Sequence, residues 1–375
     1  NNILDGKGGN DYFVLGKGTD TILGDIGNDT IAFSDAGRNG TTIGGVIVDL
    51  SKNQTYGSLD TYRVINDGFG NAKYLDSIEN VIGTKYDDII FGNSDSNTLI
   101  GGEGNDTLKG GLGADVLDGG IGQDWAYFDD IVVSGVNIVL DTDGNSANGS
   151  SGTANITGYT TTLIGIEHIK ATALADIIKG DDNTNSILAG SGNDTIFASK
   201  GGDYIDGGEG SDLLDFSATI NADSVTPYSG IKVDLGQTVA QRVHDHYGEM
   251  TILGIENIQG SNLNDFIKGN GQNNTLWGGA GDDVLDGVSA NNILVGGTGS
   301  DTFRGGTGDN IIYGESYSSL GGAGIETDTS SRDLIDFSNA GVSVTLNLSN
   351  STTINYFNGT TLSLEAQTSI GYGKN

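Results

Sequence analysis

The stretch GGEGNDTLKGGLGADVLDGGIGQD, residues 101–124, decides the fold of this chain. Divided every nine residues, it reads as one unit, G-G-x-G-x-D-x-U-x, in which U is apolar. Glycines at this density disfavour a helix by about 1 kcal/mol each, whereas they permit tight turns. The last three positions predict a short strand whose middle side chain points to one face. Two units would form a coil of turn, strand, turn and strand, so the repeat predicts an all-β protein built from parallel β-rolls.

The same register recurs in four blocks of the chain. Its sixth position always carries Asp or Asn, and an apolar residue follows two positions later. The aspartates are therefore expected at the turns and the apolar side chains inside the roll. In chain order, the sixth positions are Asn2, Asp11, Asp20 and Asp29; Asp88, Asn97, Asp106, Asp115 and Asp124; Asp176, Asn185, Asp194, Asp203 and Asp212; and Asp265, Asn274, Asp283, Asn292, Asp301 and Asn310.

Longer segments separate the blocks and resemble one another. Each carries a strand-like run, such as VIVDL at 46–50, and an Ile-Glu box. Glu79, Glu167 and Glu256 of these boxes lie nine residues before the next block's first Asp, so each box is interpreted as a modified first coil. The resulting division is 1–33, terminal part of a roll; 34–128, β-segment plus roll (about 79–128); 129–216, β-segment plus roll (about 167–216); 217–313, β-segment plus roll (about 256–313); 314–332, linker; and 333–375, a truncated further unit.

Aspartates 18 positions apart would face each other on adjacent coils. Asp106 and Asp124 would then place two carboxylates beside the carbonyl groups of glycine-rich turns. A site of about six oxygen ligands suits Ca²⁺ better than Mg²⁺ or Zn²⁺. We predict multiple Ca²⁺ ions, and a metal-free chain that is largely disordered. The predicted ligands are Asp11, Asp20, Asp29, Asp88, Asp106, Asp115, Asp124, Asp176, Asp194, Asp203, Asp212, Asp265, Asp283 and Asp301, with the turn glycines Gly102, Gly104, Gly111, Gly113, Gly120, Gly122, Gly279, Gly281, Gly297 and Gly299.

The amino-acid composition limits the classes of partner that this chain can bind. Fifty acidic side chains against 17 basic ones give a formal net charge of −33. Such a chain attracts cations and repels nucleic acid and anionic membranes. The sequence has no cysteine and no apolar run as long as a membrane span, so we expect neither disulfides nor a span. Because the chain opens at Asn1 inside a repeat, we interpret it as part of a longer protein.

The blocks resemble the repeats-in-toxin (RTX) family of calcium-binding nonapeptide repeats, and most closely so at 101–124 and 296–309. With the Ile-Glu boxes included, the chain resembles long bacterial surface RTX proteins of the S-layer type. This resemblance implies type I secretion and folding outside the cell, at the bacterial surface, in millimolar calcium. Asn replaces Asp at positions 2, 97, 185, 274, 292 and 310, and sites on those coils are expected to be weaker or absent.

Other groups of residues suggest further metals or chemistry. DTDGN at 141–145 begins like a calcium loop, or is a solvated turn. His244 and His246 would suit zinc, or lie on an exposed strand. Neither H-E-x-x-H nor G-x-S-x-G occurs, and three histidines without cysteine leave few catalytic arrangements. We therefore expect no catalytic residues and no enzyme activity.

Two readings of the function remain open. The first is an extracellular structural protein of a surface layer, matrix or adhesin, which self-associates or binds cell-surface glycan or lipopolysaccharide. The second is the C-terminal secretion and folding module of an exported enzyme or toxin. The repetition of rolls favours the first reading, because a secretion module normally needs only one such array.

Overall fold

The computed structural model describes residues 2–33, 44–51, 64–140, 152–218, 230–308 and 310–314, and the backbone of 334–336 and 344–347. Across these ranges the chain forms β-strands and no helix. Within the same ranges, nothing helical is long and apolar enough to cross a membrane. Of the predicted linker at 314–332, only Gly314 belongs to the described residues.

Most strands are three residues long, as the last third of each nonapeptide predicts. In the described residues they are β1 (Ile3–Asp5), β2 (Tyr12–Val14), β3 (Thr21–Leu23), β4 (Thr30–Ala32), β5 (Val46–Asp49), β6 (Val64–Asp67), β7 (Tyr74–Asp76), β8 (Asn80–Ile82), β9 (Ile89–Phe91), β10 (Thr98–Glu103), β11 (Thr107–Lys109), β12 (Val116–Ile121), β13 (Trp125–Tyr127), β14 (Asn137–Val139), β15 (Gly152–Ile156), β16 (Tyr159–Ile164), β17 (His168–Lys170), β18 (Ile177–Lys179), β19 (Ser186–Gly192), β20 (Thr195–Phe197), β21 (Tyr204–Gly210), β22 (Leu213–Asp215), β23 (Lys232–Asp234), β24 (Gln241–His244), β25 (Gly248–Leu253), β26 (Asn257–Gln259), β27 (Phe266–Lys268), β28 (Thr275–Ala280), β29 (Val284–Asp286), β30 (Ile293–Thr298), β31 (Thr302–Arg304), β32 (Asn310–Tyr313), β33 (Leu334–Asp336) and β34 (Val344–Asn347).

Strands 18 residues apart pair in parallel, which confirms the coil. Leu99 of β10 pairs with Leu117 of β12, and Leu108 of β11 pairs with Ala126 of β13. These middle side chains are fully buried, whereas their neighbours along each strand are less so. The two strands of one coil therefore face each other across an apolar interior, and the predicted all-β, parallel β-roll fold is confirmed.

One long sheet runs through all four blocks. It has 16 strands in the order β2-β4-β8-β10-β12-β16-β15-β14-β18-β20-β22-β26-β28-β30-β32-β34. The other strand of each coil lies in a sheet of three (β1-β3-β7), ten (β24-β25-β21-β19-β17-β13-β11-β9-β5-β6) or five strands (β23-β27-β29-β31-β33). Each block stacks on the next through its Ile-Glu box, because β4 pairs with β8, β13 with β17 and β22 with β26.

The segments between blocks join the roll, a point that the sequence left open. Each segment supplies two strands that pair in parallel with coils of the roll: β5 and β7, β14 and β16, β23 and β25. Antiparallel strands extend these additions: β6 pairs with β5, β24 pairs with β25, and β15 lies between β14 and β16. The buried apolar side chains form one cluster from Leu15 to Ile312.

Candidate metal centre

The aspartates at the sixth position form ladders along the turns of the roll. The Oδ1 atom of Asp106 accepts the backbone N–H of Asp88 at 2.7 Å, and Oδ1 of Asp124 accepts that of Asp106 at 2.7 Å. Asp194 and Asp283 make the same contact in the third and fourth blocks, at 2.7 and 2.8 Å. One carboxylate oxygen thus fixes the stacking of adjacent coils and orients the side chain.

The second carboxylate oxygen, Oδ2, is left without a hydrogen-bond partner at many of these aspartates; these atoms are called the leftover oxygens. In the described part of the chain, Oδ2 is buried and has no hydrogen-bond partner at Asp11, Asp29, Asp106, Asp115, Asp124, Asp194, Asp212 and Asp283. A buried acceptor without a partner costs about 1–3 kcal/mol, and more if it is charged. Repeated along several coils, this deficit favours a bound cation in the turns, and the residues present fit one.

The glycines of the turns make room for close backbone contacts. Gly120 has φ of +96°, and a Cβ there would overlap the carbonyl oxygen of Gly102 on the preceding coil. A Cβ at Gly122 would likewise overlap the carbonyl oxygen of Gly104. The turn backbones of adjacent coils are therefore in close contact at these glycines. The other predicted glycines lie in equivalent turns: Gly111, Gly113, Gly279, Gly281, Gly297 and Gly299.

The raised pKa values of several turn aspartates also favour a bound cation. Burial raises the pKa of Asp106 and Asp115 to about 7. Burial also raises the pKa of Asp283 to about 8, against the backbone hydrogen bond from Asp265 and helped by neighbouring carboxylates. Because these values lie above the ordinary 3.8, the metal-free roll loses stability as the pH rises from about 4 towards 8. A bound divalent cation reverses this penalty, since it favours the ionised form.

Hard carboxylate and carbonyl oxygens define the chemistry of these turns. Such ligands suit Ca²⁺, whose shell of six to eight oxygens is adaptable. When bound, the ion would neutralise the stacked carboxylates and join adjacent coils. The turn residues themselves hold the oxygens in place through the Oδ1 ladder and the glycine backbone.

Several predicted ligands already have partners within the chain. Oδ2 of Asp88 accepts the N–H of Thr84 at 2.5 Å, and the Thr84 hydroxyl lies 3.0 Å from Oδ1. The same arrangement joins Thr172 to Asp176 and Ser261 to Asp265, and the Ser199 hydroxyl donates to Asp203 at 2.8 Å. Asp20 contacts Lys73, and Oδ1 of Asp301 accepts the N–H of Asp283 at 2.9 Å.

Asparagine at the sixth position closes a turn with its own amide. Asn97 Nδ2 donates to the carbonyl of Glu79 at 2.8 Å, Asn185 Nδ2 to that of Glu167 at 3.0 Å, and Asn274 Nδ2 to that of Glu256 at 2.9 Å. At these positions the partial positive charge of an amide N–H group contacts a backbone carbonyl oxygen, where Asp would contribute a negative carboxylate. This contact gives a physical reason for weaker metal sites on those coils.

Some site residues were not among those predicted from the sequence. Oε2 of Glu79, Glu167 and Glu256 accepts the N–H of Asp29, Asp124 and Asp212 at 2.8, 2.8 and 3.0 Å, as the stacked aspartates do. Their register could have identified them. The hydroxyl residues also carry a signal, because each lies four positions before its Asp. Lys73 has no such signal, since its contacts are distant in sequence.

Of the two weaker metal candidates, only the histidine pair lies within the described residues. Nδ1 of His244 accepts the backbone N–H of His246 at 2.9 Å. In the ranges described, no group of three or more His, Cys, Asp or Glu side chains is arranged to hold a metal. The DTDGN segment at 141–145 lies outside the described residues.

These features define a calcium-binding parallel β-roll with oxygen ligands in its turns. The family model of the RTX calcium-binding nonapeptide repeat (4 copies) matches residues 1–31, 76–108, 91–126, 179–214, 259–294 and 286–316. The chain therefore belongs to the RTX repeat proteins, and it binds Ca²⁺ at multiple sites. No curated protein gives a significant match to it.

Replacing Asp106 by Asn is expected to remove at least one bound Ca²⁺ per chain, because an amide cannot neutralise a cation as a carboxylate does. Asp265→Asn is the matched control, because Ser261 already donates hydrogen bonds to both oxygens of the Asp265 carboxylate. Its ion count should stay at the wild-type value. Bound Ca²⁺, measured by mass spectrometry of the metal after equilibrium dialysis, checks both; equal losses would contradict the distinction between leftover and partnered oxygens.

Proposed function

We propose that this chain is a structural part of an extracellular bacterial assembly, such as a surface layer, a matrix or an adhesin. The observation that carries the proposal is the 16-stranded sheet, which joins the strands of all four blocks into one roll. A secretion module needs one block to fold, whereas a spacer or lattice subunit gains length and stiffness from every added coil. No catalytic role is proposed for the chain.

The dependence of folding on Ca²⁺ supports an extracellular location for this chain. RTX repeats are typical of proteins that are exported by type I secretion. Extracellular modules bind Ca²⁺ with dissociation constants of about 10⁻⁴ to 10⁻³ M. Inside the cell, where free calcium is far lower, the stacked carboxylates would oppose folding. Outside it, the ion would fold the roll, so the chain would be exported unfolded and folded at the cell surface.

Self-association or binding to cell-surface glycan or lipopolysaccharide would complete the assembly. The net charge of −33 repels another copy and an anionic surface alike, unless Ca²⁺ neutralises the contact. Apolar side chains such as Val132 (80% exposed) and Ile121 (73% exposed) are available for such a contact. Aggregation in the absence of Ca²⁺ is disfavoured by the same charge.

Light scattering and electron microscopy during a Ca²⁺ titration test the structural role. Metal-stripped chain is titrated at neutral pH, with Mg²⁺ as the control, in the presence and absence of purified lipopolysaccharide. Ordered assemblies that form with Ca²⁺, alone or on lipopolysaccharide, would support the proposal. A chain that folds with Ca²⁺ and stays monomeric in both conditions would contradict it and favour a secretion and folding module instead.

A further inference from the structure

A buried lysine lies inside one turn of the roll. The side chain of Lys73 is fully buried, and its Nζ atom is surrounded by four oxygen atoms. It lies 2.7 Å from the carbonyl oxygen of Gly16, 2.5 Å from that of Gly18, 3.2 Å from Oδ2 of Asp20 and 3.0 Å from Oδ2 of Asp67. Two carbonyls and two carboxylates thus converge on one ammonium group.

Three of these oxygens are the ones that the nonapeptide directs to a metal. Gly16, Gly18 and Asp20 occupy the second, fourth and sixth positions of their unit. The equivalent positions in the second block are Gly102, Gly104 and Asp106, where Oδ2 of Asp106 has no partner. The turn at 16–20 is therefore a repeat turn whose oxygens already contact a positive charge.

The register explains how Lys73 reaches that turn. Thr21 pairs with Tyr74, and the N–H of Tyr74 donates to the carbonyl of Asp20 at 2.9 Å. Thr107 makes the same bond to Asp88 at 2.8 Å. Lys73 consequently holds, on the coil next to Asp20, the position that Asp106 holds on the coil next to Asp88. A lysine stands where the repeat places a carboxylate.

We propose that the ε-ammonium of Lys73 takes the place of one Ca²⁺ ion in the roll. An ammonium group has three N–H donors and no acceptor, so it suits a cage made only of acceptor oxygens. All four contacts, at 2.5–3.2 Å, are within hydrogen-bond distance, and the donor carries a positive charge that strengthens them. Asp67 supplies the second carboxylate, and its Oδ1 accepts the N–H groups of Phe69 and Asn71 at 3.0 and 2.9 Å.

The other two intervening segments provide an internal comparison. The residue at the position of Lys73 is Thr161 opposite Asp115, and Met250 opposite Asp203, as the hydrogen bonds of Thr162 to Asp115 and Thr251 to Asp203 show. The fold thus accepts a small or an apolar residue at this register. Opposite Thr161, Oδ2 of Asp115 is left without a hydrogen-bond partner. The lysine therefore changes the turn and not the backbone path.

A tethered cation binds whatever the calcium concentration. The Lys73 contact attaches β7 of the first intervening segment to β3 of the first block without a metal ion. In the folded roll, the turn at 16–20 would then be closed without a Ca²⁺ ion of its own, while turns such as that of Asp106 need one. Asp20, predicted as a calcium ligand, becomes the partner of an ammonium group in this proposal.

The ion count of the full chain tests the substitution of metal by lysine. Lys73→Thr copies the residue found opposite Asp115 and opens the oxygen cage. We expect this variant to bind one more Ca²⁺ per chain than the wild type after dialysis against millimolar Ca²⁺. Lys109→Thr is the matched control, because Lys109 also pairs with two carboxylates, those of Asp129 and Asp130, but at the surface. Its ion count should equal that of the wild type.

An anomalous difference map of the wild-type chain crystallised with Ca²⁺ decides the question without any variant. Peaks are expected in the turns lined by Asp106 and Asp124, and none among Gly16, Gly18 and Asp20. A peak at that place, with the Lys73 side chain turned away, would overturn the proposal. So would a folded Lys73→Thr variant, established by circular dichroism, whose ion count is unchanged. If the variant does not fold, the map alone gives the answer.

Discussion

Removing Ca²⁺ at neutral pH is expected to unfold the roll almost completely. Without the ion, the buried Oδ2 atoms of aspartates such as Asp106, Asp124 and Asp283 have no partner, and each costs about 1–3 kcal/mol or more. The free energy of unfolding of a domain is only about 5–15 kcal/mol. The apolar interior does not compensate, because each nine-residue unit buries about one apolar side chain, worth about 1.5–3 kcal/mol, while ordering its nine backbones costs about 9–18 kcal/mol.

Far-UV circular dichroism of the metal-stripped chain measures this effect. The spectrum should be that of a disordered chain and become β-rich as Ca²⁺ rises through about 0.1–1 mM, the range of extracellular modules. Mg²⁺ is the control, because its strict octahedral shell fits these turns poorly. A β-rich spectrum that persists after the metal is shown to be gone would refute the coupling of folding to calcium.

Gly120→Ala is expected to destabilise the calcium-loaded roll by about 3 kcal/mol. The backbone at Gly120 has φ of +96°, and the added Cβ would overlap the carbonyl oxygen of Gly102. The left-handed conformation costs about 1–2 kcal/mol for a residue with a side chain, and overpacking adds about 1–3 kcal/mol. The two effects act together because adjacent coils approach through their turn backbones.

Gly158→Ala separates these two costs. Gly158 has a similar φ of +92°, but a Cβ there would meet nothing within 4 Å. This control should lose only the conformational part, about 1–2 kcal/mol. Urea unfolding of both variants in saturating Ca²⁺ gives the comparison. Equal losses would mean that the close contact between coils does not account for the glycine at position 120.

Much of the candidate site could be predicted from the nine-residue period. The period fixes which side chain of each strand points inward, as at Leu108, and which residue lies at the turn, as at Asp106, because the side chains of a strand alternate. Stacking of residues 18 apart follows from two units per coil, and the Oδ1 ladder confirms it. The division of the chain into domains stays an interpretation.

The sequence by itself determined the class of fold, the interior positions and the chemistry of the turns, because all three are local properties of a nonapeptide. Only the tertiary structure decided how the blocks join and which turns contain their own partners. Strand β7 pairs with β3 across a separation of 53 residues, and the position of the Lys73 ammonium depends on that pairing. Long-range pairing is set by the burial of whole coils, for which no short stretch of sequence carries a signal.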